Sequence, residues 1–321
     1  MSARSTGGQA PDAPGTEASG VVLVDKPQGW TSHDVVGRVR RLAGTRKVGH
    51  AGTLDPMATG LLVVGVNKAT RLLTAITGTD KTYTATIRLG QSTVTDDAEG
   101  EVVQTRLANA VTPERVAEQV AALTGEILQV PSAVSAVKVA GRRAYDRVRA
   151  GEDVTLDARP VTVHEFTVHE LRRLDGGRLV DLDVTVRCSS GTYIRALARD
   201  LGEALETGGH LTALRRTAVG PFDVADALSL EALAERFAMT ELSEAAAGLF
   251  PVRELTEHEA HELAFGRVVA PTGTGETLVA GRAPDGRVIA LVSDVRRRGA
   301  DVAKPQLVFA PAEGPGQGRT A

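Results

Sequence analysis

Residues 161–202, VTVHEFTVHELRRLDGGRLVDLDVTVRCSSGTYIRALARDLG, combine two alternating apolar and polar segments with a glycine turn and an amphipathic segment. The alternating segments, roughly 161–171 and 178–187, flank Asp175-Gly176-Gly177, which is typical of a β-hairpin turn. From about residue 193 the apolar residues recur at helical spacing, which predicts a helix. Because no regular β-α-β repeat accompanies these adjacent strands, the pattern favours an α+β fold with antiparallel pairing over a doubly wound parallel sheet.

The same reasoning predicts further elements on both sides of this hairpin. They are a strand at 21–24, a basic helix at 32–43 capped by Thr31 or Ser32, strands at 60–66 and 82–89, and a helix opened by Thr112-Pro113-Glu114. Near Pro251 the pattern changes to the capping box Thr256-x-x-Glu259 and short strands. We therefore expect a larger domain at 20–250 and a small, mostly β domain at 251–312, between flexible tails at 1–19 and 313–321.

Composition limits the protein class. The chain has 321 residues, 42% hydrophobic content and a formal net charge of −3, as expected of a globular protein and unlike a histone-like basic one. The single cysteine, Cys188, excludes an internal disulfide framework and a multi-cysteine zinc site, and it fits a reducing cytosol. No window approaches the roughly 20 apolar residues of a membrane-spanning helix. We therefore expect a cytoplasmic protein that does not enter the membrane.

The loop GHAGTLDPMATG at 49–60 is the leading candidate for a site. Its three glycines and one proline specify the backbone, and His50 and Asp55 are capable of acid–base chemistry. It lacks the Gly-Lys-Ser/Thr ending of a Walker loop and the Gly-x-Gly-x-x-Gly of a dinucleotide-binding turn, which disfavours nucleoside triphosphate binding. Spacing alone leaves open that Asp55 only forms a turn before Pro56.

Two other features have competing interpretations. The segment 188–192, CSSGT, could present a nucleophile at a strand-to-helix turn, but it lacks the Gly-x-Ser-x-Gly elbow, and a plain turn is the alternative. Two basic clusters predict a polyanion-binding surface, with a solvated face as the alternative. These clusters are Arg38, Arg40, Arg41, Arg46 and Lys47, and Lys138, Arg142, Arg143, Arg147 and Arg149.

Six sequence blocks together resemble the bacterial tRNA pseudouridine-55 synthase family, TruB, across roughly residues 20–250. The blocks are VDKPQGWTSHDVV at 24–36, GHAGTLDPMATGLL at 49–62, KTYTATIRLG at 81–90, VPSAVSAVKVAGRRAYDRVRAGE at 130–152, CSSGTYIRALARDLG at 188–202 and HLTALRRTAVGPF at 210–222. The resemblance implies an α+β pseudouridine synthase catalytic domain with a mixed, largely antiparallel sheet and an RNA-contacting insertion. A C-terminal PUA-like domain is expected to follow it.

The resemblance also implies roles for individual residues. Asp55 matches the catalytic aspartate, Tyr83 the active-site tyrosine and Arg195 the arginine that pairs with the aspartate. The matched substrate-binding positions are Lys26, His50, Tyr193 and Leu214. The segment 90–97, GQSTVTDD, departs from the family pattern at Val94, where an acid is usual, so no role is carried over for that acid.

A family member converts uridine 55 in the TΨC arm of tRNA to pseudouridine after flipping the base, without a metal or cofactor. An ionised carboxylate serves as nucleophile or base, a nearby arginine favours its charged form, and a tyrosine offers a stacking surface for the uracil. The expected partner is tRNA alone, with no obligate protein partner, and the expected state is a monomer. The alternatives are a guide-RNA-dependent dyskerin-type synthase, a non-catalytic tRNA-binding or folding protein, and a metal hydrolase.

Overall fold

The computed structural model describes residues 18–132 and 156–309, and the backbone of 138–139 and 142–143. Its strands are β1 Gly20–Lys26, β2 Val48–His50, β3 Thr59–Val66, β4 Lys81–Leu89, β5 Gln91–Thr93, β6 Val102–Thr105, β7 Gly125–Gln129, β8 Lys138–Val139, β9 Arg142–Arg143, β10 Arg159–Leu174, β11 Leu179–Cys188, β12 Gly209–Val219, β13 Phe222–Asp223, β14 Thr240–Glu241, β15 Val252–Glu254, β16 Val279–Arg282, β17 Val288–Arg297 and β18 Ala300–Val308. Its helices are α1 Ser32–Leu42, α2 Leu73–Gly78, α3 Pro113–Ala122, α4 Ile194–Ala204, α5 Leu230–Glu235, α6 Leu242–Leu249 and α7 Glu257–Ala264.

A large sheet runs through the described part of the chain in the order β14-β1-β3-β12-β4-β11-β10-β7, with β2 beside β3 and β13 beside β12. The predicted hairpin is β10–β11, which pair antiparallel from Val163 opposite Cys188 to Leu174 opposite Leu179. The pair β12–β3 is parallel, whereas the other neighbours in this sheet are antiparallel. The α+β prediction with a mixed, largely antiparallel sheet is therefore confirmed.

Strand β4 lies in the middle of this sheet and shows the predicted alternation. Its buried side chains include Ile87 and Leu89, and they belong to the same apolar core as Leu197 and Leu201 of α4. Burial of each of these four side chains contributes roughly 1.5–3 kcal/mol to folding. This packing fixes α4, and hence the loop before it, against one face of the sheet.

Helix α1 begins with a capping box. The Thr31 hydroxyl accepts a hydrogen bond from the Asp34 amide, and the Asp34 carboxylate accepts one from the Thr31 amide. The predicted apolar face is buried through Val35, Val36 and Val39. The helix therefore packs on the sheet and leaves its basic residues on the outer side.

A second sheet, in the order β15-β16-β17-β18, begins at Val252, one residue after Pro251. The predicted capping box of Thr256 and Glu259 is present at the start of α7. An apolar cluster joins this second sheet to the first, because Leu291 and Phe309 pack in one core with Val21 and Leu61. The division of the chain at 250 stays a prediction.

The predicted RNA-contacting insertion falls largely outside the described residues. Only the backbone of β8 and β9 is described there, so the side chains of Lys138, Arg142 and Arg143 and the positions of Arg147 and Arg149 cannot be added to the site. Across residues 18–132 and 156–309, no helix is long and apolar enough to cross a membrane.

Candidate active site

Backbone hydrogen bonds fix the loop that carries Asp55. The Asp55 carbonyl accepts a hydrogen bond from the Ala58 amide at 3.1 Å, so the turn expected before Pro56 is present. The buried Ser32 hydroxyl accepts from the Leu54 amide at 2.9 Å and donates to the Leu54 carbonyl at 3.1 Å. Because the backbone makes the turn, the Asp55 carboxylate is left to face other groups.

Lys26 ties this loop to the segment before α1. Its side chain is fully buried, and its ammonium donates hydrogen bonds to the carbonyls of Trp30 at 2.7 Å and Pro56 at 3.3 Å. The Gly29 amide also donates to the Pro56 carbonyl at 2.8 Å. Burial lowers the pKa of Lys26 to about 8, against the opposing effect of the nearby Asp55 carboxylate. In this structure Lys26 therefore anchors the loop that carries Asp55.

Arg195, the second residue of α4, lies between two carboxylates. Its Nε is 2.9 Å from Asp55 Oδ2 and 3.6 Å from Asp97 Oδ2, and its Nη1 donates to the Thr95 carbonyl at 2.8 Å. The side chains of Arg195 and Asp97 are 5% and 4% exposed, whereas that of Asp55 is 37% exposed. A ligand can therefore reach the Asp55 carboxylate, whereas the buried Asp97 carboxylate holds the arginine in position.

Asp97 has further hydrogen bonds that account for its burial. Its Oδ1 accepts from the Glu99 amide at 3.0 Å and from the Thr95 hydroxyl. A buried carboxylate is tolerated when it is both paired and hydrogen-bonded, and Asp97 meets both conditions. The sequence of this segment departs from the family pattern at Val94, and no local pattern in it predicts a role for Asp97. Val94 is 51% exposed, and the residue of this segment that pairs with Arg195 is Asp97.

Arg216 links Tyr83 to the same loop. It lies on β12 directly opposite Tyr83 on β4, and its side chain is 1% exposed. Its Nε donates to the Leu61 carbonyl at 2.8 Å and its Nη2 to the Gly52 carbonyl at 3.2 Å. Burial raises the pKa of the Tyr83 hydroxyl, which is also hydrogen-bonded to Arg216. Tyr83 is therefore protonated at neutral pH and held in place by a buried cation.

The start of α4 forms another wall. The buried Gln129 side chain accepts a hydrogen bond from the Tyr193 amide at 2.8 Å and donates one to the Tyr193 carbonyl at 3.1 Å. Cys188 ends β11 nearby, and burial raises the pKa of its thiol to about 11. The thiol is therefore not ionised at neutral pH, which favours the plain strand-to-helix turn over a cysteine nucleophile.

These groups surround a cavity of about 450 Å³, within the size range of small-molecule sites, roughly 300–1,000 Å³. Of the residues singled out in the sequence, it is lined by His50, Asp55, Tyr83, Tyr193, Arg195 and Leu214. Lys26 is not among the lining residues.

The charges around this cavity are mostly positive. Lys81, Arg195 and Arg216 line it, and Asp55 contributes the single carboxylate among the lining residues that the structure describes. Burial lowers the pKa of Lys81 to about 8 and lowers that of His50 below 6.5, so the imidazole is neutral at pH 7. Because Arg195 is paired with carboxylates, Lys81 and Arg216 carry the remaining positive charge of the lining, which favours an anionic ligand. Within the described ranges, no group of three or more His, Cys, Asp or Glu side chains is arranged to hold a metal ion.

Sequence reasoning missed the groups that hold the site together. Asp97, Arg216 and Gln129 act on residues that are distant along the chain, and no local pattern marks them. The sequence predicts Ser32 only as a possible helix cap, whereas in the structure its hydroxyl binds the Leu54 backbone. The partner of a buried charge can be identified only once the fold is known.

Known protein families and proteins match almost the whole described chain. Family models described as TruB family pseudouridylate synthase (N terminal domain), tRNA pseudouridylate synthase B C-terminal domain and tRNA Pseudouridine synthase II, C terminal match residues 40–194, 195–271 and 250–310. A tRNA pseudouridine synthase B from Arthrobacter sp. (strain FB24) is 65% identical over 93% of this chain and 99% of its own length. The protein of that name from Thermobifida fusca (strain YX) is 60% identical over 91% of this chain and 99% of its own length.

A solved structure has the same fold at lower identity. The chain aligns to one in the crystal structure of a Cbf5-Nop10-Gar1 complex with a TM-score of 0.71 and 25% identity, covering 95% of this chain and 90% of that one. The identity to the bacterial relatives is far higher and extends over nearly their full length. The chain therefore belongs to the TruB family of tRNA pseudouridine synthases, which are isomerases that act on tRNA.

Proposed function

We propose that this chain isomerises uridine 55 in the TΨC arm of tRNA to pseudouridine, with the Asp55 carboxylate as nucleophile or base. The observation that carries the proposal is the ion pair of Asp55 and Arg195, at 2.9 Å, inside a cavity of ligand size. The names of the bacterial relatives support tRNA as the substrate. The resemblance of the six sequence blocks to the family supports uridine 55 as the position and Asp55 as the reacting carboxylate.

The reaction moves a bond without net oxidation or reduction. The bond between uracil N1 and ribose C1′ breaks, the base turns, a bond forms between C5 and C1′, and the C5 proton is lost while N1 gains one. Asp55 is the accessible carboxylate of the cavity, and Arg195 favours its charged form by pairing with it. As a nucleophile it would hold the detached base or sugar, and as a base it would take a proton from the reacting atoms.

The remaining cavity residues position the uracil. Tyr83 offers a ring for stacking and a protonated hydroxyl that can donate or relay a hydrogen bond. Leu214 and Tyr193 provide apolar and aromatic wall, and the neutral His50 stands at the side of the flipped nucleotide. We assign Lys26 an indirect part, because it holds the Pro56 carbonyl next to Asp55.

Flipping the base costs a few kcal/mol, which stacking and phosphate contacts must offset. We assign phosphate contacts to the basic residues of α1, to the insertion near 138–150 and to a PUA-like domain at 251–312 that follows a catalytic domain at 20–250. We also propose that the chain acts as a monomer on tRNA without a protein partner. A guide-dependent synthase would instead need accessory components.

The experiment is pseudouridine mapping of an unmodified tRNA transcript after incubation with purified protein in EDTA, without added partners. We expect conversion at uridine 55 by the wild type and none by Asp55→Asn. A transcript with cytidine at position 55 is the control for position. Conversion at another uridine would refute the position, full conversion by Asp55→Asn would refute the carboxylate, and binding without conversion would point to a guide-dependent enzyme or a binding protein.

A further inference from the structure

Trp30 is the single tryptophan of the chain and is partly exposed, at 36%. It precedes the Thr31 cap of α1, and its carbonyl is bound by the buried Lys26 ammonium at 2.7 Å. The proposed chemistry at Asp55 does not use its indole ring. A large aromatic side chain that is held by its backbone and left open to solvent is a candidate for stacking on a ligand.

A groove of about 390 Å³ lies beside this ring. Its lining residues are Gly29, Trp30, His33, Asp34, Gly37 and Arg41. Trp30 and Arg41 also line a smaller groove, together with Arg38, Leu230 and Glu231. Each groove contains one carboxylate, Asp34 in the first and Glu231 in the second. Only the first groove is lined by His33, whose ring contacts His50 of the catalytic cavity, so the first groove is the better site for a nucleotide next to that cavity.

The first groove lies next to the catalytic cavity. His33 lines the groove and His50 lines the cavity, and their ring centroids are 5.9 Å apart in an edge-to-face arrangement. The Gly29 amide of the groove donates to the Pro56 carbonyl of the catalytic loop at 2.8 Å. An RNA chain with one nucleotide in the cavity therefore passes close to the groove of Trp30.

The charges of the groove suit a phosphate. Arg41 lies at the C-terminal end of α1 and is exposed, and in the described part of the chain it forms no ion pair or side-chain hydrogen bond. The one acid of the groove, Asp34, already accepts hydrogen bonds from the Thr31 amide at 3.0 Å and the Thr31 hydroxyl at 2.6 Å. These hydrogen bonds lower the pKa of Asp34 and keep it charged, but they hold its carboxylate at the helix cap, whereas the Arg41 guanidinium has no ion-pair partner among the described residues.

We propose that the groove of Trp30 and Arg41 is a second nucleotide subsite, which binds a neighbour of the uridine that enters the catalytic cavity. The neighbouring base stacks on the Trp30 indole, and its phosphate pairs with Arg41. This inference rests on the proposed function, because it takes the occupant to be the same RNA. The subsite adds a contact outside the cavity, and this contact sets the orientation in which the RNA loop enters.

The single tryptophan permits a direct test. Intrinsic tryptophan fluorescence is followed while an unmodified tRNA transcript is added to the Asp55→Asn protein, and anisotropy of labelled RNA gives the affinity separately. We expect quenching that saturates at the same RNA concentration as the anisotropy. RNA binding with unchanged fluorescence would overturn the subsite.

Variants test the energetic contribution. Trp30→Ala should weaken tRNA binding about five- to a hundredfold, the range expected for loss of one stacked base, and Trp30→Phe should restore most of it. Arg41→Ala should weaken binding and reduce the slope of log affinity against log salt by about one. The control is Arg178→Ala, the exposed residue just before β11, whose ten residues place it about 30 Å along the strand from the cavity.

Turnover separates this inference from the proposed function. In an otherwise wild-type protein, Trp30→Ala should raise KM and leave the single-turnover rate at saturation close to wild type. If the wild type converts uridine 55 while Trp30→Ala and Arg41→Ala match Arg178→Ala in KM and affinity, the subsite is refuted and the function stands. If the wild type converts no uridine, the proposed function fails, and the fluorescence result alone decides whether RNA contacts Trp30.

Discussion

Replacing Arg195 by methionine should destabilise the fold and abolish conversion through two separable losses. The guanidinium lies 3.6 Å from Asp97, whose side chain is 4% exposed, and 2.9 Å from the more exposed Asp55. Methionine fills similar space but carries no charge. Asp97 is then left as a buried carboxylate without its cation, and Asp55 loses the group that favours its charged form.

The size of the destabilisation follows from the Asp97 contact. Coulomb's law with an effective dielectric constant of about 20 gives about 5 kcal/mol at the observed 3.6 Å. Breaking a buried pair by removing one partner typically costs about 3–5 kcal/mol. We therefore expect Arg195→Met to lower the free energy of unfolding by about 3–5 kcal/mol.

The second variant separates stability from chemistry. Asp97→Asn combined with Arg195→Met removes the uncompensated charge, so it should regain part of the lost stability while conversion stays absent. Urea unfolding followed by circular dichroism measures the first quantity, and pseudouridine formation in tRNA measures the second. An Arg195→Met protein with a wild-type unfolding midpoint, or a double variant less stable than the single one, would refute this account of the buried pair.

Two further predictions concern the loop and the histidine. Gly60 has φ +98°, and an added Cβ would lie 2.3 Å from a backbone oxygen of β12. Gly60→Ala should therefore lower thermal stability more than the control Gly29→Ala. Gly29 also has a positive φ, +83°, but no atom lies within 4 Å of an added Cβ, so its replacement should lower the free energy of unfolding by only about 1–2 kcal/mol. Equal shifts in melting temperature would contradict this prediction. Burial lowers the pKa of His50 below 6.5, so the unfolded chain takes up the proton first and stability falls as pH drops through about 6.5. His50→Gln should remove part of the stability loss measured by urea unfolding between about pH 7.5 and 5.5, and an unchanged pH slope would show that His50 does not contribute.

Local patterns predicted the elements that depend on local physics. The alternation around Tyr83 gave strand β4, and the Thr256 box gave the start of α7, because both depend on near neighbours in the chain. The family resemblance, in turn, singled out Asp55 and Arg195, which the sheet brings to within hydrogen-bond distance. Periodicity by itself left Asp55 as a turn residue, and the structure shows that it is also an ion-pair partner.

Long-range partners could not be predicted in this way. Arg215 and Arg216 are adjacent in sequence, yet the first pairs with Asp25 and the second is buried against Tyr83. Alternation says that they face opposite sides of a strand, but it does not say which side is the core. Lys26 is a similar case, because a lysine next to a turn is normally solvated, and only the fold reveals the carbonyls that bind its ammonium.

The apolar cluster shared by the two sheets has a consequence for synthesis on the ribosome. Val21 is translated early and Phe309 near the end of the described chain, yet both belong to one core. That core cannot close until nearly all of these residues have left the exit tunnel, and until then its apolar surface is open to chaperones or to aggregation. A premature stop codon that removes Leu291 and Phe309 is therefore expected to leave Val21 and Leu61 in an incomplete apolar cluster and to lower the amount of protein in the cell through proteolysis.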